Sequence, residues 1–173
     1  FGPGYRSDYY EYDYESVAGY VGEGVPLRFV ERATLSPGKL MLYRAHRDVH
    51  SQIPPESLSV SLNIMQVGQA QAWFDQYGFD LERGEITRVL SPNSTEVFLR
   101  IAVGAGHANA IDLAAEFGKT HPSDRIRLAS YEARALIAGN ASSRDELWRE
   151  AELSGCRMLA EAARQRRTDL EAA

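Results

Sequence analysis

The apolar residues of this chain change their spacing once, near Ser91-Pro92-Asn93, and that change limits the folds open to it. Before it they alternate with a period of two, which in an extended chain sends successive side chains to opposite faces. After it they recur about every 3.6 residues, the spacing of one helix face. Ser57 to Met65 (S-L-S-V-S-L-N-I-M) shows the first pattern without a fault. It predicts a strand with Leu58, Val60, Leu62 and Ile64 buried, and Ser57, Ser59, Ser61, Asn63 and Met65 on the other face. From Tyr10, the tyrosines Tyr10, Tyr12 and Tyr14 alternate with Glu11, Asp13 and Glu15, the pattern of a half-exposed strand. Leu27 to Leu35 predicts another strand, followed by a turn at Ser36-Pro37-Gly38. Ile53-Pro54-Pro55-Glu56 must be a loop, because two prolines withdraw two ladder donors. Phe79 to Leu81 and Glu85 to Leu90 flank Glu82-Arg83-Gly84 as a hairpin.

Beyond Pro92, three or four packed helices are expected. Asn93 and Glu96 have capping-box spacing, with Phe98, Ile101, Ala102 and Ala105 as the buried stripe. Gly104 and Gly106 break that helix. Ala110, Ile111, Ala114 and Phe117 mark the next, stopped at Gly118. Pro122 opens a helix with Ile126, Ala129, Ala133, Leu136 and Ile137 inward, ended by Gly139-Asn140. Ser143 and Glu146 form a second capping box at the head of a long helix through Leu147, Ala151, Met158, Leu159 and Ala162. The class is therefore α+β, a β-rich region over 1–90 followed by a helical region over 91–173.

Composition removes several functions. The 24 acidic residues outnumber the 19 Lys and Arg, and no basic stretch exceeds Arg164 to Arg167, so nucleic acid is not an expected partner. No apolar run is long enough to cross a bilayer and no signal peptide is visible, so a membrane is not expected either. The single Cys156 rules out an internal disulfide and reads as a small buried hydrophobe. A cytoplasmic location is the simplest expectation. Because the chain opens on Phe1 rather than Met, it reads as a fragment, a processed product or a chain missing its beginning; a partner chain or a homo-oligomer is a separate expectation.

Chemistry concentrates in Lys39 to Gln52, K-L-M-L-Y-R-A-H-R-D-V-H-S-Q. Read as one strand, it sets Met41, Tyr43, Ala45, Val49 and Ile53 on one face, with Arg47 the misfit. The other face begins with Leu40 and Leu42 and turns polar through Arg44, His46, Asp48, His50 and Gln52. Two of the chain's four histidines thus flank an aspartate on one side.

The run P-G-K-L-M-L-Y-R-A-H-R-D-V-H, followed by S-V-S-L-N-I-M, resembles part of a cupin barrel, most like the cysteine-dioxygenase-type branch. The resemblance covers about residues 25 to 90. It implies a jelly-roll sheet, a metal-binding histidine on one strand and an S-L-H-type segment on a later one. Here that segment is Ser61-Leu62-Asn63, so asparagine stands where a histidine is expected, and the H-x-H motif with its following glutamate is absent. His121 to Leu136 in turn resembles the second helix of a HEAT repeat, with Asp124 and Ile126-Arg127 at the D and VR positions. A single unit is read as helix-pair packing rather than an array.

Three readings of the polar face follow. Imidazole and carboxylate suit Fe(II), Zn or Mn, making His46, Asp48 and His50 the metal set, His46 and His50 the catalytic pair, and Arg44, Gln52 and Asn63 the substrate contacts. Residues two apart on a strand are separated by about 6.5 to 7 Å. His46 and His50 are about twice that, so one histidine with Asp48, or with Asn63 from a neighbouring strand, is the better ligand set. In the second reading the pocket is metal-free, with His46 or His50 as general base and Arg44 holding a carboxylate. In the third the face is solvated and Asp48 pairs with Arg44 or Arg47. The functions that follow are a cupin-type mononuclear non-haem iron oxygenase acting on a small polar substrate such as an amino acid, or a non-catalytic module for protein interaction or oligomerisation.

Overall fold

The computed structural model describes residues 1–66, 68, 73–91 and 93–172. Among the described residues every strand precedes residue 90 and every α-helix follows residue 93, so the α+β division stands where the period changes. Pro92, read as the pivot of that change, lies outside the described residues.

Strand β1 (Tyr5–Glu11) is the centre of an antiparallel sheet, between β2 (Arg28–Leu35) and β3 (Asp48–Ile53). Its register sets Ser7 opposite Ala33 and Gln52, and Tyr9 opposite Glu31 and His50. Ser7 and Tyr9 are buried, as befits alternate residues of a central strand. The strand therefore begins at Tyr5, ahead of its predicted start at Tyr10, and ends at Glu11, and its buried face carries Ser7 and Tyr9 rather than Tyr10. Tyr12 makes one last backbone bond, to the Arg47 carbonyl (3.1 Å), before Asp13 caps a 3-10 turn at Tyr14–Ser16. The predicted hairpin is present as β4 (Tyr77–Asp80) and β5 (Glu85–Val89), with Gly84 supplying the positive φ its turn requires. Among the described residues five strands form a three-stranded sheet and a separate two-stranded one.

Two predicted strands are corrected. Lys39 to Gln52 is not one strand, because only Asp48 onward joins the ladder and Ala45 to Arg47 form a turn with His46 at φ 61°. The cause is local. The Asp48 carboxylate accepts the Arg44 backbone N–H at 2.7 Å, and the Asp48 N–H donates to the Arg44 carbonyl at 3.1 Å. Short-range bonds of this kind compete directly with a ladder. Ser57 to Met65 forms no strand either. Leu58, Leu62 and Ile64 are 75%, 87% and 90% exposed, Val60 is also exposed, and it is Ser59 that is buried. Phe1 and Val60 exchange two backbone bonds (3.1 and 2.9 Å), while the Ser59 hydroxyl accepts from the Gly4 N–H and its carbonyl from the Tyr5 hydroxyl. These bonds draw the serine inward, and its neighbours consequently turn out.

Among the described residues five α-helices follow rather than three or four: α1 (Ser94–Gly104), α2 (Ala108–Thr120), α3 (Asp124–Ile137), α4 (Ala141–Glu152) and α5 (Arg157–Glu171). Asn93 caps α1 as predicted, accepting the Glu96 N–H at 2.9 Å. The stripe is off by one residue, since Leu99 and Val103 are buried while Phe98 and Ile101 face out. Helix α2 runs through Gly118 instead of stopping there, and the glycine marks a close approach of α3, since a Cβ at that position would stand 3.0 Å from the Tyr131 ring. In α3, Ile126, Ala129 and Ala133 are buried as expected, but Leu136 and Ile137 are exposed. The expected single long helix is two. Asn140 caps α4 ahead of Ser143, and Gly155 at φ 73° separates α4 from α5, which begins after the buried Cys156.

The main core lies among α3, α4 and α5, with Tyr131, Trp148 and Leu159 as its large members; Tyr20 packs against it from the β-rich region. The buried Glu23 carboxylate accepts the Ala18 and Gly19 N–H groups at 2.7 and 2.6 Å, tying down the turn beside Tyr20. Among the described residues no helix is long and apolar enough to cross a membrane.

Candidate functional site: an arginine and aromatic face on the three-stranded sheet

From Asp48 onward the predicted alternation holds. Asp48, His50 and Gln52 stand opposite Glu11, Tyr9 and Ser7 on β1. Glu11 anchors the polar end of this face. Its carboxylate takes the Arg28 guanidinium on one oxygen, and Arg47 Nε (3.1 Å) and Arg44 Nη2 (3.2 Å) on the other. Hydrogen bonds from Arg28 and then Arg47 hold the Glu11 carboxyl down at about 2. Arg44 turns its remaining donors on Asp48, with Nη2 at 2.6 Å and Nε at 3.1 Å, and these bonds lower the Asp48 pKa too.

The two histidines go to different neighbours. The His50 ring lies 4.8 Å from that of Tyr43 and 6.4 Å from that of Tyr9. Desolvation among these rings pushes its pKa below the ordinary value, so at neutral pH it is the neutral imidazole. Tyr43, expected in the core, lies over this face, its hydroxyl 3.5 Å from that of Tyr9 and its pKa raised by burial and by that contact. The positive φ of His46 sends its ring the other way, 4.5 Å from Phe74 and 4.7 Å from Tyr14. A surface cleft of about 500 Å³ opens there, lined by Glu11, Tyr12, Tyr14, Arg28, His46 and Arg47 among others. Burial raises Tyr12 to about 12, so its phenol stays protonated.

The structure therefore separates the predicted metal set. Among the described residues no three His, Cys, Asp or Glu side chains gather as a metal ion requires. The donor chemistry gives the same result, since the Asp48 oxygens are taken by Arg44 and each imidazole packs against aromatic rings. These residues do not fit a metal in this arrangement. Of the three predicted substrate contacts, Arg44 is occupied by Asp48 and Glu11, while Gln52 and Asn63 are exposed. Asp48 pairing with Arg44 matches the solvated-face reading. Sequence reasoning missed Glu11 as the anchor of three arginines and Tyr9 and Phe74 as partners of the histidines. The tyrosine-rich, acidic start of the chain was the available signal, but strand pairing was needed to bring it here.

No family model, curated protein or solved structure matches the chain.

Proposed function

We propose that this chain is a protein-interaction module that associates with a second copy of itself through Ser57 to Met65. One observation carries the reading: Leu58, Val60, Leu62 and Ile64 form a strand-patterned row of large apolar side chains, all exposed, with the exposed Met65 beside it. Soluble chains rarely leave such a row in water, and contiguous exposed apolar surface marks contact sites. The backbone is also available. Val60 pairs with Phe1, but among the described residues no backbone bond engages Ser61 to Met65, so another chain can add a strand here. Leu40 and Leu42, in the other segment left out of the sheet, are exposed as well.

Light scattering on the purified chain tests this reading. The expected result is a dimer or larger species that dissociates when Leu62 and Ile64 are both changed to Ser, with circular dichroism unchanged. A wild-type chain that stays monomeric across the accessible concentration range overturns it. The metal-dependent oxygenase would require His46, Asp48 and His50 to leave their present partners and converge.

A further inference from the structure

A second cleft, of about 430 Å³, lies among the helices and is independent of the 57–65 segment. That volume falls in the range of ordinary small-ligand sites, roughly 300 to 1,000 Å³. Arg100 of α1, Arg144 of α4 and Arg166 of α5 line it, together with Glu132, Leu136 and Trp148. The lining thus carries three guanidiniums and one carboxylate, on a chain whose net charge is −5. Glu132 holds two of them, Arg100 on one oxygen and Arg166 at 3.5 Å on the other. Arg100 Nη2 also reaches Glu96 at 3.4 Å, and Arg166 Nη1 reaches Asp169 at 4.0 Å. Such clamping sets the two guanidiniums in place, while the Nη1 and Nε of Arg100 and the Nε of Arg166 make no hydrogen bond among the described residues, and both side chains remain partly exposed. Arg144 is different. Among the described residues no carboxylate lies within ion-pairing distance of it.

The apolar lining narrows the class of ligand. Leu136 is an exposed leucine on a helix whose preceding face is buried, and Trp148 is a buried aromatic within the same cleft. A purely anionic ligand leaves Leu136 uncovered, and a nucleic-acid backbone calls for a basic stripe that this chain lacks. We infer that this cleft binds a short acidic peptide segment carrying an apolar side chain, its carboxylates on Arg144 and the free edges of Arg100 and Arg166, its apolar side chain on Leu136.

Fluorescence anisotropy with labelled synthetic peptides tests the assignment on the full chain. The probes are a peptide of glutamates with two leucines, the same peptide with lysines for glutamates, an all-glutamate peptide, and a single-stranded oligouridylate. Saturable binding is expected to the glutamate–leucine peptide, weaker to the all-glutamate peptide, absent for the lysine peptide, and falling as salt rises. Arg144→Glu should weaken binding about fivefold or more, the loss of at least one exposed ion pair. This variant keeps the fold, because Arg144 has no ion pair to break and a glutamate suits the first turns of α4. Helical circular dichroism provides the check. The inference is overturned if the glutamate–leucine peptide gives no saturable response, if the lysine peptide matches it, if the oligouridylate binds more tightly, or if Arg144→Glu binds as the wild type does.

Discussion

Arg125 Nη1 donates to Asp75 at 2.5 Å across 50 residues of sequence, joining the segment before the hairpin to the start of α3. The same guanidinium reaches the Ser91 carbonyl at 2.7 Å and, through Nη2, Glu96 of α1 at 2.6 Å. All three charged side chains are largely buried. Glu96 is thereby drawn away from the reciprocal half of its predicted capping box, while Asn93 keeps its own half.

Arg125→Met should destabilise the chain by about 3 kcal/mol, because it strands two carboxylates that the arginine had neutralised. Urea denaturation measures the loss. Adding Asp75→Asn and Glu96→Gln to Arg125→Met should recover part of it. If the triple variant is no more stable than Arg125→Met, the carboxylates were not the source of the cost.

Glu11 should titrate near 2 by carboxyl NMR, against an ordinary value of 4.5. The folded value lies below the unfolded one, so the stabilisation is fully present above about pH 4.5 and is lost as pH falls toward 2. Arg28→Gln should raise the Glu11 value most, since that bond contributes most to the shift, with Arg47→Gln second. An unperturbed titration in the wild-type chain would contradict the ion-pair geometry.

Leu159→Ala should cost about 2 to 5 kcal/mol, because Leu159 is fully buried in the main core. Leu62→Ala should cost less than about 0.5 kcal/mol, since an exposed side chain leaves no cavity. Measured in dilute monomer, the pair separates the observed burial from the sequence pattern, which placed Leu62 inside.

Gly118→Ala sets two effects against each other. Alanine for glycine within a helix is worth about 1 kcal/mol by propensity. Here the added Cβ would stand 3.0 Å from the ring of buried Tyr131, and overpacking of this kind costs about 1 to 3 kcal/mol. The net result should be a lower Tm. A higher Tm would show that α2 and α3 can move apart.

Much of the architecture was legible in the sequence because it rests on local rules. The change of period separates strands from helices, prolines 54 and 55 force a loop, glycines at 84 and 106 permit turns, and Asn93 caps a helix. Each of these depends on a few consecutive residues and the backbone freedom they allow. The errors have a different origin. Alternation in 57–65 specified two faces but not whether either would be covered, and pairing with Phe1, Gly4 and Tyr5 buried Ser59 alone and left both faces otherwise exposed. In α1 the buried stripe depended on the neighbours that α1 meets, so Leu99 and Val103 displaced Phe98 and Ile101.

The candidate site divides along the same line. Sequence alone determined which residues carry chemistry between Arg44 and Gln52 and, from Asp48 onward, which of them share a face. Tertiary structure decided everything that depends on distance. The Asp48–Arg44 bonds closed a turn where a longer strand was expected, β1 delivered Glu11 and Tyr9, and the turn sent His46 away from His50. The physical reason is that alternation is a property of each residue's own backbone, whereas a site is built from groups brought together by pairing and packing across dozens of residues.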